Sequence, residues 1–290
     1  MTVVLSPDNS HHEFLRDPSV MPFLKWAGGK RQLLPAISKL VPQEFERYYE
    51  PFVGAAAVLF GLQPRRARIN DANGELMNLY QVIKEEPDAL LQTAAKHRNE
   101  KEYYYKLRLE DRGHDFRQWS SVERASRILY LNKTCYNGLF RVNSHGQFNV
   151  PFGAYAKPRV ANAKVIHAVS RYLNEAQIKL SNTDFEEALQ DAGQGDFVYL
   201  DPPYDPVSDT ASFTGYSVGN FGRDQQRRLK KVCDDLTRRG CLWLQSNSAT
   251  EFIRELYADY EIMEVKASRN INAQVAGRGK VGELLIHNQP

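Results

Sequence analysis

The stretch that decides the fold is Phe197-Val198-Tyr199-Leu200-Asp201-Pro202-Pro203-Tyr204. Its first four residues are apolar, which predicts a buried strand over 196–201. In open α/β sheets, ligands bind in the crevice outside the carboxyl ends of the strands. Asp201 and the residues after it are therefore placed for binding or chemistry.

This turn offers hydrogen-bond acceptors and an aromatic face. Pro202 and Pro203 lack N–H groups and stiffen the backbone, which leaves the carbonyl groups of Asp201 and Pro202 as unpaired acceptors. A carboxylate, a fixed carbonyl and the ring of Tyr204 together suit an exocyclic amino group on a planar base. On these four residues alone, an ordinary turn that ends a strand remains an alternative.

Strand-like and helical segments alternate on both sides of this stretch. The predicted strands are 48–53, 67–70, 177–181, 196–201, 241–246, 260–265 and 282–287. The predicted helices among them are 30–41, 185–189, 223–239 and 250–257. This alternation predicts an α/β fold with a mostly parallel, doubly wound sheet.

The pattern changes between residues 72 and 165. Amphipathic helices are predicted at 75–84, 88–97 and 122–133, the last of which opens with a capping box, Ser120-x-x-Glu123. Residues 136–157 follow as a loop too long for a simple connector. The sequence thus predicts a loose tail over 1–20, a main domain from 21–71 and 166–290, and a helical insertion over 72–165.

Composition excludes several classes of protein. The 290 residues are 42% hydrophobic and 25% charged, with a mean hydropathy of −0.53, which is typical of a soluble globular protein. There is no apolar run of about 18 residues, so we expect no membrane span. Three cysteines without a C-x-x-C pair favour neither a disulfide scaffold nor a metal site. A polar N-terminus argues against a signal peptide and predicts a cytoplasmic protein.

A second candidate site lies at residues 23–30. Its Gly-Gly-Lys is not a P-loop, because Leu24 occupies the first glycine position and Arg31 follows the lysine. Trp26 instead offers an indole face to a cofactor ring, with Lys30 near the cofactor carboxylate. A core tryptophan and a solvated lysine remain an equal alternative.

A third candidate site is Glu50-Pro51-Phe52-Val53-Gly54-Ala55-Ala56, with Asp71 about a helix and a strand later. This layout resembles one in which a glycine turn admits a cofactor and a later acid binds ribose hydroxyls. The third glycine of the dinucleotide fingerprint is missing, and Ala56 stands where a second glycine would allow the closest approach. NAD binding therefore has little support.

With these three signals in one chain and in this order, the sequence resembles the DNA adenine methyltransferase family of the Dam and DpnM type. The resemblance covers nearly everything from residue 23 to residue 285. It includes the blocks 132–143 (NKTCYNGLFRVN), 148–153 (FNVPFG) and Phe213-Thr214-x-Tyr216. It implies a Rossmann-like methyltransferase sheet, S-adenosylmethionine as methyl donor, and an inserted target-recognition domain over 72–165.

The resemblance also implies which residues bind the donor. These are Trp26, Lys30, Pro51, Phe52, Gly54, Asp71, Asp184, Phe185 and Asp201. Gly54 would lie beneath the methionine part, Asp71 would hold the ribose, and Asp184 would lie near the adenine. The family usually keeps a second small or glycine residue at position 56, and because alanine is small we expect the change to be tolerated.

Six residues are implied to contact double-stranded DNA. They are Lys25, Tyr136, Asn137, Leu139, Arg141 and Pro151. Lys25 and Arg141 would contact guanine edges, as arginine matches the O6 and N7 acceptors, and Tyr136 and Asn137 would fill the gap left by an extruded base. Taken singly, Tyr136 and Leu139 could be core residues and Arg141 a surface charge. The implied target is GATC, bound by a monomer.

The implied reaction is transfer to the 6-amino group of a flipped adenine. The catalytic residues would be Asp201, Pro202, Pro203 and Tyr204: Asp201 and the Pro202 carbonyl accept from the amino group, and Tyr204 stacks on the base. Cytosine C5 methylation is disfavoured because no Pro-Cys occurs. Cytosine 4-amino methylation and a catalytically silent DNA-binding protein remain alternatives, with a dinucleotide-dependent oxidoreductase third. No metal is expected, and we expect the protein in the cytoplasm, with the nucleoid when on DNA.

Overall fold

The computed structural model of the chain describes residues 17–26, 29–143, 145–206, 221–268 and 280–289. Most of the predicted tail over 1–20, Gly28, and the block Phe213-Thr214-x-Tyr216 lie outside the described residues. Among the described residues no helix is long and apolar enough to cross a membrane.

The described residues form a seven-stranded sheet. Its strands are β1 Tyr48–Glu50, β2 Arg66–Asn70, β3 Gln177–Ser181, β4 Phe197–Leu200, β5 Leu242–Ser248, β6 Glu261–Ser268 and β7 Lys280–His287. Their order is β3-β2-β1-β4-β5-β7-β6, in which β1 to β5 pair in parallel and β7 runs antiparallel between β5 and β6. The predicted α/β, doubly wound, Rossmann-like sheet is thus confirmed.

Ten α-helices accompany these strands in the described part of the chain. They are α1 Leu34–Ile37, α2 Ala57–Leu62, α3 Gly74–Glu85, α4 Pro87–Ala94, α5 Lys101–Leu109, α6 Ser121–Thr134, α7 Ala163–Glu175, α8 Phe185–Ala188, α9 Arg223–Arg238 and α10 Glu251–Leu256. The predicted capping box of α6 is present, because Ser120 accepts from the Glu123 N–H and Glu123 accepts from the Ser120 N–H.

Two predicted elements differ from the structure at a proline. The helix expected over 30–41 is a 3₁₀ turn, Lys30–Gln32, followed by the short α1, because Pro35 has no N–H to continue a helix and instead occupies its first turn. The strand expected over 48–53 stops at Glu50, because Pro51 cannot donate to the sheet.

Both faces of the sheet are covered, and its residues alternate between two cores. On β4, Phe197 and Tyr199 join the core formed with α2, α3, α6 and α7, whereas Val198 and Leu200 join the core formed with α9 and α10. The helices of segment 72–165 share the first core with the sheet. The predicted division at 165/166 falls inside α7, which packs against α3, α4 and β3. Segment 72–165 and the sheet therefore share one continuous core, and α7 spans the predicted division.

Candidate active site and DNA-facing loop

The candidate site lies where the strand order reverses. The chain runs outward from β1 through β2 to β3 and then returns with β4 on the other side of β1. Such a switch point leaves a crevice at the carboxyl ends of the two central strands. Pro51 follows β1 there and Asp201 follows β4, so the third and first candidate sites of the sequence meet at one edge of the sheet.

A buried carboxyl group lies at the end of β1, beside this crevice. Glu50 ends β1 and is 2% exposed, and its Oε2 accepts hydrogen bonds from the Tyr48 hydroxyl (2.7 Å) and the Leu59 N–H (3.1 Å). Burial raises the pKa of Glu50 to about 8, so the group is mostly protonated at neutral pH. Glu50 thus fastens β1 to the start of α2, beneath the Gly54 turn.

Asp201 is paired with a buried lysine. The Lys30 Nζ lies 2.8 Å from Asp201 Oδ1, and it also lies 4.8 Å from the centroid of the Tyr204 ring. Burial raises the pKa of Asp201, and the charge and hydrogen bond of Lys30 oppose that shift. The Tyr204 hydroxyl donates to Glu283 Oε2 at 3.0 Å, which fixes the ring beside Asp201. The four side chains form one polar cluster at the end of β4.

Two backbone carbonyl groups in this turn have no hydrogen-bond donor among the described residues. Within the described residues, neither the Asp201 nor the Pro202 carbonyl accepts a hydrogen bond, whereas the Pro203 carbonyl accepts from Gln226 Nε2 at 2.8 Å. Lys30, Glu283 and Gln226 thus anchor the turn through the Asp201 side chain, the Tyr204 hydroxyl and the Pro203 carbonyl. A carboxylate and two unpaired carbonyl groups remain beside the Tyr204 ring, the arrangement expected from the two prolines.

The predicted donor residues Trp26, Gly54 and Asp71 lie together. Gly54 has a φ of +48°, and a Cβ placed on it would lie 2.8 Å from Trp26 Cδ1, so the indole covers a backbone that only glycine leaves open. Asp71 accepts from the Gly54 N–H (3.1 Å) and the Asn73 N–H (2.9 Å), and burial raises its pKa to about 6. The Tyr80 hydroxyl donates to the Gly54 carbonyl at 2.8 Å. The turn is held from three sides.

Phe52, Asp184 and Phe185 form a neighbouring wall. The rings of Phe52 and Phe185 lie 5.4 Å apart between centroids. Asp184 caps α8 by accepting from the Glu186 N–H at 3.0 Å, and it pairs with Arg228, whose guanidinium also lies 4.6 Å from the Phe185 ring centroid. The carboxylate of Asp184 is therefore engaged by a cation in this structure.

The predicted target loop begins directly after α6. Tyr136 is 47% exposed, and Tyr136–Gly138 form a 3₁₀ turn in which Asn137 takes a left-handed conformation with φ 55°. The Tyr136 N–H donates to the Pro151 carbonyl at 2.8 Å. Leu139 is half-buried against the first core. Of these residues, the exposed Tyr136, Asn137 and Pro151 are available to a ligand.

Arg141 begins an irregular hairpin. Its Nε donates to Asn149 Oδ1 at 2.8 Å, and a bridge pairs Val142 with Phe148. The Arg141 side chain is exposed, as is that of Lys25. These charges lie on the loop side of the crevice, whereas Asp71 and Asp184 follow β2 and β3 on the strand side.

Two functional candidates were missed by the sequence analysis. Glu283 contacts Tyr204, and its signal is a single acid within the apolar run of β7, Gly282-Glu283-Leu284-Leu285-Ile286. Phe140 stacks on Trp26 at 4.8 Å and 24°, and no local pattern links these two positions. Within the described residues no cluster of three or more His, Cys, Asp or Glu side chains is placed to hold a metal ion.

Comparison with known proteins places the chain among DNA methyltransferases. Residues 26–271 match the sequence profile of the family described as D12 class N6 adenine-specific DNA methyltransferase. Type II methyltransferase M1.LlaDCHI of Lactococcus lactis subsp. cremoris is 43% identical over 272 residues, which span 93% of this chain and 96% of that protein.

Two further relatives are similar over nearly their whole length. Type II methyltransferase M.MjaIII of Methanocaldococcus jannaschii is 39% identical over 289 residues, 93% of this chain and 99% of that protein. The DNA adenine methylase of Escherichia coli strain K12 is 38% identical over 272 residues, 92% of this chain and 95% of that protein.

Proposed function

The chain belongs to the D12 class of N6 adenine-specific DNA methyltransferases, and from this premise we propose that it transfers a methyl group from S-adenosylmethionine to the 6-amino group of an adenine flipped out of duplex DNA. Membership confirms the resemblance seen in the sequence, and it favours adenine over the 4-amino group of cytosine and over dinucleotide-dependent oxidation. The observation that carries the proposal is the Asp201 carboxylate beside the unpaired Pro202 carbonyl at the end of β4.

Two acceptors at that position answer the chemical difficulty of the reaction. The lone pair of an adenine amino nitrogen is delocalised into the ring, so the nitrogen is a poor nucleophile. Asp201 and the Pro202 carbonyl accept hydrogen bonds from its two N–H groups. They thereby favour a pyramidal nitrogen, with its lone pair directed at the methyl carbon. The Tyr204 ring, held by Glu283, stacks on the flipped base. Burial raises the pKa of Asp201 and Lys30 opposes that shift, so the lysine favours the charged form of the carboxyl group, which is the stronger acceptor.

The residues at the other end of the crevice fit a nucleoside donor. Gly54 has no side chain, which lets the Trp26 indole pack directly on the backbone of the turn, where a Cβ would lie 2.8 Å from Trp26 Cδ1. The donor would be held by Trp26, Lys30, Pro51, Phe52, Gly54, Asp71, Asp184, Phe185 and Asp201. Asp71 retains lone pairs for ribose hydroxyls after its two backbone hydrogen bonds. The bound donor would supply the methyl group on a sulfonium. As the nitrogen–methyl bond formed, the methyl–sulfur bond would break and the donor would leave as a neutral thioether. The amino group would lose one proton, for which the Asp201 carboxylate is the hydrogen-bonded acceptor.

The target proposed for the enzyme is GATC in double-stranded DNA, bound by a monomer. Lys25 and Arg141 would contact guanine edges, while the exposed ring of Tyr136, with Asn137, would fill the gap left by the flipped adenine. Leu139 and Pro151 would contact neighbouring bases. The support is the resemblance of blocks 132–143 and 148–153 to the family, together with the exposure of the loop. The protein would act in the cytoplasm, with the nucleoid.

The experiment incubates the protein with methyl-labelled S-adenosylmethionine and three matched duplexes. One contains GATC, one a scrambled order of those bases, and one GATC with 6-methyladenine already on both strands. Nucleoside mass spectrometry should find label as 6-methyladenine in the first duplex only. Label in every adenine-containing duplex would contradict the GATC target but not the chemistry, and label in 4-methylcytosine would contradict the base.

Asp201→Asn tests the mechanism in the same assay. The variant keeps the shape of the side chain but replaces a charged acceptor, so transfer should fall below detection while duplex affinity stays near wild type. Near-wild-type turnover in this variant would overturn the role of Asp201. No label with the wild-type protein, with DNA still bound, would favour the silent DNA-binding alternative.

A further inference from the structure

One buried amide side chain joins two segments that are distant in sequence. Asn132 lies in the last turn of α6 and is 0% exposed. Its Oδ1 accepts from the Lys25 N–H at 3.0 Å, and its Nδ2 donates to the Lys25 carbonyl at 2.7 Å, across 107 residues of chain. Nδ2 also lies 3.4 Å from the Gly138 carbonyl in the target loop. The amide therefore pairs with both backbone groups of one residue and reaches a third group in another segment.

The residue after Lys25 is Trp26, which is proposed to contact the donor. Trp26, the next residue, covers Gly54 and stacks on Phe140 at 4.8 Å. Any shift of the Lys25 backbone would therefore move the indole over the donor turn.

Lys25 is also packed against the target loop. A Cβ on Gly138 would overlap the Lys25 side chain, so this loop residue leaves room for the lysine only because it is glycine. Gly138 has a φ of +63° and ends the Tyr136–Gly138 turn, next to the left-handed Asn137. The Lys25 Nζ lies 4.8 Å from the Tyr155 ring centroid, beyond the hairpin. The loop therefore packs on the Lys25 side chain and shares the Asn132 amide with the Lys25 backbone.

We propose that Asn132 is a positioning residue that couples donor binding to target binding, by holding Lys25 between the Trp26 indole and the Tyr136–Gly138 turn. The inference rests on the proposed function, since it takes the indole as the donor side and the loop as the DNA side. Binding of duplex to the loop would fix the Lys25 backbone through the amide, and so fix the indole over Gly54. The donor would then bind more tightly, and by linkage the donor would strengthen duplex binding by the same factor.

The expected change in donor affinity follows from the range that is usual for coupling between two binding sites. Allosteric coupling changes affinity by about 5- to 150-fold. We expect a target duplex to strengthen binding of S-adenosylhomocysteine, a non-reactive probe of the donor site, by a factor in this range. Without the amide, the Lys25 N–H and carbonyl lose their partner and the indole no longer follows the loop. The factor should fall to about 1.

The test measures the dissociation constant of S-adenosylhomocysteine by calorimetry, with and without the GATC duplex, for wild type and Asn132→Ala. Asn132→Asp is the second variant, because it keeps the shape and the acceptor for the Lys25 N–H but loses both Nδ2 contacts. Ser126→Ala is the matched control: Ser126 is on the same helix, is 0% exposed, and bonds to His97 at 2.8 Å, with no contact to Lys25. Thermal unfolding of each variant measures the general loss of stability.

The expected result is loss of coupling in either folded Asn132 variant and its retention in Ser126→Ala. In steady-state assays the loss should appear as a higher KM for the donor with kcat changed much less. The inference is overturned if wild type shows no coupling, if a folded Asn132 variant keeps it, or if Ser126→Ala loses it equally. Because the readout is binding, absence of methyl transfer by the wild type would reject the proposed function without deciding the coupling.

Discussion

Replacing Lys30 by methionine tests whether the lysine opposes protonation of Asp201 at the end of β4. Lys30 Nζ lies 2.8 Å from Asp201 Oδ1, and the two side chains are 5% and 22% exposed. Burial raises the pKa of Asp201, and Lys30 opposes that shift. Lys30→Met preserves much of the volume and removes the cation, so the pKa of Asp201 should rise further. A smaller fraction of enzyme then holds an ionised acceptor at neutral pH.

The magnitude follows from the contact that is lost. A hydrogen bond to a charged group contributes about 1.5–3 kcal/mol. Each 1.4 kcal/mol is tenfold in rate, so methyl transfer should slow by up to about 10- to 150-fold toward the acidic end of the pH range, where the shifted pKa has its full effect. Stability should suffer less than the roughly 3–5 kcal/mol typical of a broken buried ion pair, because the carboxyl group can take up a proton.

The assay is single-turnover methyl transfer at saturating donor from pH 6 to pH 9.5. An acid with a raised pKa is ionised only at higher pH, so the deficit of Lys30→Met should shrink as the pH rises. Lys84→Met is the control, since Lys84 Nζ donates to the Ile178 carbonyl, away from the crevice. A deficit of constant size across this range would refute the reasoning. It would instead indicate that Lys30 serves the donor carboxylate, which would appear as a raised KM for the donor.

Three further predictions follow from single contacts. Burial raises the pKa of Glu50 from 4.5 to about 8. Its contribution to the free energy of unfolding is therefore complete below pH 4.5, and up to about 5 kcal/mol of it is lost as the pH rises to 8. Urea unfolding of Glu50→Gln should lack this dependence on pH, and an equal dependence in both proteins would contradict the shift. Arg141→Ala should cost about 1–3 kcal/mol of discrimination at one base pair, measured as kcat/KM on single-substitution GATC duplexes, and a uniform loss on all duplexes would indicate a phosphate contact instead. Ser120→Ala removes the α6 cap and should lower the free energy of unfolding by about 1 kcal/mol in urea with methyl transfer unchanged, whereas an unchanged midpoint would mean that the box does not stabilise the helix.

Local patterns predicted the parts of the fold that depend on local chemistry. The strand 177–181 was predicted with the bounds that β3 has, and the strand before Asp201 with bounds one residue wider at each end. Both are short apolar or alternating runs beside turn residues, so the period itself marks them. The capping box of α6 is equally local, since its residues lie three apart.

Two helices were not predicted, α5 inside segment 72–165 and α7 at its end, and the reasons differ. In α5 the buried residues are Tyr104 and Leu107, so the apolar stripe is too narrow to stand out from the charges around it. In α7 the buried residues include Val165, Ile166, Val169 and Leu173, at helical spacing. That signal was present in the sequence, but the division assumed at 165/166 cut through it.

The contacts that organise the site could not be predicted from pattern. Lys30 pairs with Asp201 and Tyr204 with Glu283 because the sheet order brings β4, β7 and the first 3₁₀ turn together. No periodicity encodes such pairs, and a family resemblance assigns roles to residues without saying which side chains touch in the free protein. Asp184 is an example: the resemblance places it near the donor adenine, and in the structure it forms an ion pair with Arg228.

The departure at Ala56 can be judged from its surroundings. Ala56 has φ 55° and ψ 38°, a left-handed conformation that costs an alanine about 1–2 kcal/mol. Its N–H donates to the Val53 carbonyl at 2.7 Å and its carbonyl accepts from Phe60, so the turn requires this conformation. The residue is 0% exposed within the first core, and burial of its methyl group returns about 0.8 kcal/mol of that cost. Because protein atoms enclose the methyl group completely, we expect alanine to be tolerated at this position, where the family usually keeps a small or glycine residue.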